Sequence, residues 1–109
     1  MNDDVLSNQV LELRRGSIVL AILGLLMARS HYGYALLKSL EGAGVDVDGS
    51  TLYPLLRRLE KQGVLLSEWD TADSRPRKYY RVTPDGERLY HSLRQEWQSI
   101  QENINRIII

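Results

Sequence analysis

The hydrophobic pattern of the chain is clearest between residues 49 and 63. Four leucines recur there at the i, i+3, i+4, i+7 spacing of one helical stripe: Leu52, Leu55, Leu56 and Leu59. The opposite face carries Ser50, Pro54, Arg57 and Lys61, with Tyr53 and Arg58 on its flanks. Hydroxyls near a helix N-terminus, with arginine one turn later, suit contact with a DNA groove. An ordinary amphipathic helix with a solvated basic face fits the same pattern.

The ends of this helix and the segments before it are also predicted. Ser50 is the expected N-cap, and Gly63 is the expected stop. An earlier helix covers residues 5–28, loosened near Gly16, with Ser17 as a local cap. Another covers residues 32–42, and a connection rich in Gly and Asp follows it. Two helices joined by a short turn, the second with a polar outer face, predict a helix-turn-helix.

A β-hairpin is predicted next along the chain. Residues 64–70 and 78–83 are rich in apolar, aromatic and β-branched residues, and residues 71–77 form the loop between them. The far side of the loop carries Arg75 and Arg77, and Lys78 at the start of the next strand brings the count to three cations within four residues. A hairpin with a basic tip after a helix-turn-helix is a wing, whose cations reach a DNA backbone or minor groove. A solvated turn with arginines for solubility is the alternative.

The last segment predicts a long helix with Thr83 as its cap and Pro84 in its first position. Six apolar residues then recur at spacings of 3, 4, 3, 4 and 3: Tyr90, Leu93, Trp97, Ile100, Ile104 and Ile107. At about 1.5 Å per residue, this seam is too long for one small domain to cover. It therefore predicts pairing with a second subunit, joined by Val5, Leu6, Val10 and Leu13 of the partner. Folding back onto its own domain is the alternative.

Composition narrows the class of protein. The 109 residues are 43% apolar and 26% charged, which is typical of one soluble domain. The absence of cysteine excludes disulfides and thiol chemistry, and His31 and His91 lie too far apart to suggest a metal site. The chain has no nucleophile–base pair and no phosphate-cradling glycine loop, so neither an enzyme nor a cofactor is expected.

Charge and hydropathy add two constraints. The net charge is zero, yet it is −2 over residues 1–49, +3 over residues 50–82 and −1 over residues 83–109. The positive charge of the middle third favours nucleic acid as the partner. The overall net charge of zero also fits a different class of protein, an interaction module that binds protein. The apolar run of residues 18–28 is too short for a bilayer, which needs about twenty residues. Because acidic Asp3 and Asp4 oppose a signal peptide, we expect a core helix in a cytoplasmic protein without membrane contact.

Four segments occur in this order: residues 13–17 (Leu-Arg-Arg-Gly-Ser), 31–34 (His-Tyr-Gly-Tyr), 49–63 and 77–83 (Arg-Lys-Tyr-Tyr-Arg-Val-Thr). With them the chain resembles the PadR family of bacterial transcriptional regulators, and its short subfamily with a single C-terminal helix, over about residues 11–100. The expected fold is mainly α with a small β-hairpin. A winged helix-turn-helix domain would cover residues 1–83, and a C-terminal dimerisation helix would cover residues 84–109.

The resemblance implies a homodimeric, sequence-specific regulator, a repressor that binds a near-palindromic double-stranded DNA operator. Helix 50–62 would be the recognition helix, and His31 would be a helix cap or a phosphate contact. Together with the basic face and the wing cations, the expected DNA contacts are Tyr32, Ser50, Thr51, Tyr53, Pro54, Arg57, Lys61, Arg75, Arg77 and Lys78. Tyr34 would contact a phosphate or pack in the core.

The resemblance also implies where the dimer forms. Its interface is expected at Leu93, Trp97, Ile100, Ile104 and Ile107. Some family members bind small aromatic or hydrophobic compounds near the dimer interface, which relieves repression, and Trp97 would stack against such an effector. The alternative is that Trp97 only fills the dimer core. Trp69, at the end of a strand, is expected to pack against the domain.

Overall fold

The structure is a computed structural model that describes residues 1–108, so Ile109, the last residue of the predicted dimerisation segment, lies outside it. Within those residues the helices are α1 (Asp3–Arg15), α2 (Ser17–Ala28), α3 (Gly33–Gly42), α4 (Gly49–Lys61) and α5 (Pro84–Ile108). The strands are β1 (His31–Tyr32), β2 (Leu65–Asp70) and β3 (Arg77–Val82). The predicted fold class, mainly helical with a winged helix-turn-helix, is confirmed.

The predicted first helix is in fact two helices that meet at Gly16. The backbone N–H of Gly16 donates to the carbonyl of Arg14, which ends α1. Ser17 does not cap α2, because its hydroxyl donates to the Arg14 carbonyl at 2.7 Å. The predicted local cap is therefore wrong: the serine closes the end of α1 and leaves the start of α2 without a side-chain cap.

The core is built around α2, which is apolar on all sides. Ile22, Leu23 and Leu26 of α2 are buried, and they pack in one cluster with Leu36 and Leu40 of α3. The same cluster holds the leucine stripe of α4 together with Leu65 and Tyr80. The eleven-residue apolar run is thus a core helix, as predicted. Within residues 1–108, no helix is long and apolar enough to cross a bilayer.

Helices α3 and α4 are each followed, two residues after the last helical residue, by a glycine in the left-handed region, which often terminates helices. Gly44 has φ +82° and Gly63 has φ +81°. After each, a backbone N–H returns to a carbonyl of the last turn: Val45 to Leu40 at 2.8 Å, and Val64 to Leu59 at 3.1 Å. The predicted stop at Gly63 is confirmed. These two turns set the angle between α3 and α4 and the direction in which the chain enters β2.

The sheet is three-stranded and antiparallel, in the order β1-β3-β2. The hairpin pairs Leu65 with Val82 at one end and Asp70 with Arg77 at the other. Strand β1 was not predicted, because two residues are too few to show an alternating pattern. It pairs His31 with Tyr80, so His31 is buried and its Nδ1 lies 2.9 Å from the Arg29 carbonyl oxygen. The prediction of His31 as a cap or phosphate contact is therefore wrong.

Helix α5 starts as predicted and is anchored tightly. Thr83 caps it, accepting from the Gly86 N–H at 3.0 Å, and the Thr83 hydroxyl donates to the Gly63 carbonyl at 2.7 Å. Gly86 is buried directly against the Val64 carbonyl and a Val82 methyl. The first turns of α5 then cross α2, where the Tyr90 ring packs over Gly24. A domain boundary between residues 83 and 84 stays a prediction.

The contact at Gly86 predicts a specific loss of stability. In Gly86→Ala, the new methyl group overlaps the Val64 carbonyl oxygen, so we expect the free energy of unfolding to fall by about 1–3 kcal/mol. Gly16→Ala is the matched control, since nothing lies within 4 Å of that position and its φ of −66° suits alanine. Urea denaturation of both variants is the measurement. Equal stability of Gly86→Ala and wild type would contradict this packing.

Candidate nucleic-acid interface

The outer face of α4 is a continuous polar and basic surface. The leucine stripe is buried, and this turns Ser50, Thr51, Pro54, Arg57, Arg58 and Lys61 to solvent. Pro54 lies inside the helix, where it gives up one backbone hydrogen bond near the N-terminus. Arg57, Arg58 and Lys61 line one groove together with Lys78 of the wing. The face predicted from the sequence is therefore present as a single surface.

The start of α4 is organised by Asp48, which the sequence analysis missed. The Asp48 carboxylate accepts the Thr51 N–H at 3.0 Å and the Ser50 hydroxyl at 2.6 Å. Asp48 is thus the N-cap, and the prediction of Ser50 in that role is wrong. The Ser50 hydroxyl and then the Thr51 N–H hold the pKa of Asp48 below its ordinary value. An Asp directly before a Gly-Ser-Thr run was the available signal.

Tyr53 lies half-buried at the junction of α3 and α4. Its ring packs against the first residue of each helix, because a Cβ on Gly33 or on Gly49 would lie 3.0 Å from a ring carbon. Glycine at both positions therefore allows the ring to sit between the two helix starts. Tyr53 was predicted as a DNA contact, and the structure also gives it a role in spacing α3 from α4.

The wing is tied to α4 through Glu60. The Lys78 ammonium lies 3.6 Å from a Glu60 carboxylate oxygen, and Ser67 of β2 donates its hydroxyl to the same carboxylate. The Lys78 side chain is 33% exposed, so it belongs to the junction of wing and helix rather than to the wing tip. Arg75 in the loop and Arg77 at the start of β3 are exposed. Of the three wing cations, Lys78 is therefore paired with Glu60, whereas Arg75 and Arg77 are exposed.

Tyr32 lies in β1, before α3 rather than inside it. Its hydroxyl donates to an Asp70 carboxylate oxygen at 2.7 Å, and its ring stacks on Tyr79 with centroids 4.0 Å apart. The Arg77 guanidinium lies 4.9 Å from the centre of the Tyr32 ring. The neighbouring Tyr79 phenol and the bond to Asp70 raise the pKa of Tyr32. A phosphate contact by Tyr32 stays a prediction, but its hydroxyl proton is engaged by Asp70.

A cleft of about 620 Å³ separates the start of α3, the middle of α4 and the wing. Its lining combines phenols and cations: Tyr32, Tyr34, Tyr53, Arg75, Arg77 and Lys78. Tyr34 is exposed with its phenol toward solvent, so the core alternative for this residue is wrong. Such a lining suits an extended anion, with phenols as hydrogen-bond donors and cations for attraction. No group of three acidic or histidine side chains in residues 1–108 is placed to bind a metal.

A second exposed surface lies on α1 and the far half of α5. Trp97 is 47% exposed, and Ile100, Ile104 and Ile107 beyond it are also exposed, whereas Leu93 packs against the core. No side chain of α1 is buried by the rest of residues 1–108. Leu13 and Leu20 line an open groove of about 490 Å³ with the α5 seam. The alternative in which the seam folds back onto its own domain is therefore wrong for this half of α5.

Trp69 also departs from its prediction. It lies on β2 and is 66% exposed, so the expectation that it packs against the domain is wrong. Trp69 pairs with Lys78 across the hairpin and belongs to the wing surface.

A helix-turn-helix followed by a β-wing, with basic side chains on the outer face of its second helix, defines a winged-helix protein. Residues 22–92 match the model of the Transcriptional regulator PadR-like family, so the chain belongs to that family of transcriptional regulators. It is similar to a PadR family transcriptional regulator from Eggerthella lenta DSM 2243, with 46% identity and a TM-score of 0.88 over 97% of this chain and 94% of the other.

Two further relatives agree with this assignment. A transcriptional regulator from Clostridium thermocellum has 31% identity and a TM-score of 0.81, over 90% of this chain and 99% of the other. Transcriptional regulator Rv3488 of Mycobacterium tuberculosis is 40% identical over 75 residues, 69% of this chain and 70% of its own. The family and these relatives are regulators of transcription rather than enzymes.

The Asp48 cap predicts a pH-dependent contribution to stability. Because the folded pKa of Asp48 is depressed, the cap stabilises above the unfolded pKa of about 3.9, and this is lost as pH falls through the folded value. We expect Asp48→Ala to melt at a lower temperature than wild type at pH 7, and we expect this difference to shrink as the pH falls below the unfolded pKa. Asp46→Ala, an exposed acid in the same connection, is the control. If the difference in melting temperature between Asp48→Ala and wild type stayed constant across this pH range, the carboxylate would be excluded as the cause.

Proposed function

We propose that the chain is a dimeric, sequence-specific DNA-binding regulator that represses transcription by occupying a promoter. The observation that carries this proposal is the outer face of α4, which presents Arg57 and Lys61 beside Lys78 of the wing. Arginine pairs with guanine edges in a major groove, whereas cations at a wing attract phosphates. Arg57 therefore specifies a base, and Arg75, Arg77 and Lys78 supply sequence-independent attraction. The site of action is the cytoplasm, where bacterial promoters lie.

The dimer is supported by the apolar residues that a single chain leaves exposed. Trp97, Ile100, Ile104 and Ile107 form one stripe on α5, and α1 adds Val5, Leu6 and Val10. A second copy that covers both helices removes this apolar area from water. In a two-fold dimer that binds DNA, the symmetry axis relates the two α4 helices, and both lie on the side that faces the duplex. The operator is then near-palindromic, with half-sites about 34 Å apart or a multiple of that distance.

We propose in addition that a small aromatic or hydrophobic compound relieves repression. The groove between the α1–α2 junction and α5 supports this, since it is open, largely apolar and contains the exposed Trp97 ring. A flat apolar compound stacks against an indole with favourable dispersion and burial. The dimer would then have two conformations that differ in the separation of the two recognition helices. Such an effector acts only if it binds one of these conformations more tightly than the other.

Fluorescence anisotropy with labelled duplex DNA tests the proposed function directly. Mixed-sequence duplex, titrated at low and at moderate salt, is expected to bind in both conditions and more weakly at the higher salt. The rival function is a winged helix that binds protein and not DNA, which the zero net charge would suit. Flat titrations at both salt concentrations would favour that rival and reject DNA binding.

The division of roles predicts two distinct mutant phenotypes. Arg57→Ala is expected to cost about 1–3 kcal/mol on an operator and to relax the preference at one base pair. Lys78→Ala is expected to weaken all sequences alike and to flatten the dependence of affinity on salt. Arg58→Ala, one position along the same helix, is the control that keeps the base preference. If Arg57→Ala left affinity and preference unchanged, the assignment of α4 as the recognition helix would be wrong.

The proposed dimer predicts an effect of a single charge on α5. Ile100→Glu places a carboxylate in the apolar seam, so we expect it to shift the protein from dimer to monomer in light scattering coupled to gel filtration. Gln95→Glu adds the same charge on the opposite side of the helix and is expected to leave the dimer intact. A dimer of unchanged mass for Ile100→Glu would place the interface elsewhere.

A further inference from the structure

Asp70 occupies a special place in the wing. It is the last residue of β2 and pairs in register with Arg77, the first residue of β3, so it marks the base of the loop of residues 71–76. One carboxylate oxygen accepts the Ala72 N–H at 3.0 Å, and the other accepts the Tyr32 hydroxyl at 2.7 Å. A single carboxylate thus closes the start of the loop and binds a residue 38 positions earlier in the chain.

Tyr32 carries this connection to the rest of the domain. It pairs with Tyr79 in the short strand β1, and its backbone immediately precedes α3. Its ring lies against Tyr79 and beneath the Arg77 guanidinium, at 4.0 Å and 4.9 Å between centres. Leu65 and Tyr80 anchor the strands of the wing in the core, and the Tyr32 side chain adds a link between the loop end of the wing and the start of α3.

We infer that Asp70 is a positioning residue for DNA binding, which acts through Tyr32 to hold the wing and its arginines at a fixed angle to the recognition helix. The inference rests on the proposed function and adds to it a residue whose charge opposes DNA. A carboxylate at a DNA-binding surface repels phosphates. The presence of Asp70 at the base of the wing loop is therefore explained by the Tyr32 side chain and the loop backbone that it holds in place. Arg77 lies on the ring that Asp70 fixes, and Arg75 lies on the loop that Asp70 closes.

The sign of the mutant effect separates this role from simple electrostatics. Asp70→Ala removes a negative charge, so electrostatics alone predicts tighter DNA binding. Positioning predicts the opposite, because Arg75 and Arg77 lose their fixed places. Asp73→Ala is the matched control, since Asp73 is an exposed acid in the same loop that makes no hydrogen bond or ion pair with the described residues. It reports the effect of charge removal alone.

The experiment measures the affinity of the full-length protein for duplex DNA at several salt concentrations by anisotropy. We expect Asp70→Ala to bind about three- to tenfold more weakly than wild type, with the salt slope reduced by about 1. Tyr32→Phe, which removes only the hydroxyl, is expected to do the same, and Asp73→Ala is expected to bind at least as tightly as wild type. Base preference, which comes from α4, is expected to stay unchanged in all three variants.

The double variant decides how Tyr32 acts. If Tyr32 works through Asp70, Tyr32→Phe costs nothing further in the Asp70→Ala background. Multiplying losses would mean that Tyr32 contacts phosphate independently, and would overturn the inference. Binding of Asp70→Ala as tight as that of Asp73→Ala would also overturn it. Circular dichroism at the assay temperature verifies that each variant is folded, and failure of wild type to bind DNA would reject the proposed function itself.

Discussion

Burial of the leucine stripe of α4 decides which side of that helix faces outward. Each leucine transferred from water to the core contributes about 1.5–3 kcal/mol, whereas turning the helix would expose this stripe and bury Arg57 and Lys61 without partners. Packing of this stripe against the core around α2 therefore determines that the polar side chains on the opposite face of α4 point to solvent. The left-handed glycines after α3 and after α4, Gly44 and Gly63, hold this orientation before and after the helix.

Leu65 and Tyr80 anchor the wing strands in the core, and polar contacts position the outer part of the wing. Glu60 connects α4 to Lys78 and Ser67, and Asp70 connects the loop to Tyr32 ahead of α3. Both connections use a carboxylate on a surface that otherwise carries cations. In this way the loop end of the hairpin, which buries little apolar area, is held at a defined angle to α4. Tyr32 and Lys78, the side chains that these two acidic residues contact, both line the cleft between α3, α4 and the wing.

Periodic features could be predicted from the sequence, and isolated pairings could not. The stripe of α4, the strands of the hairpin and the long seam of α5 repeat at spacings that a single sequence reveals. Thr83 and Pro84 mark the start of α5 by their capping preferences. Strand β1 has two residues and no period, so it was missed, and His31 was misplaced with it. The Tyr32–Asp70 bond joins residues 38 positions apart, which no local pattern indicates. At α4 the cap moved from Ser50 to Asp48, because both residue types favour that position and only the backbone geometry distinguishes them.

In the proposed function, the outer face of α4 is one half of a two-fold symmetric DNA-binding surface. Selection of bound duplexes from a randomised DNA library by the wild-type protein tests this proposal. We expect enrichment of a two-fold symmetric motif, with guanine in each half-site and half-site centres about 10 base pairs apart or a multiple of that spacing. Enrichment of no motif, or of a single unrepeated site, would contradict it.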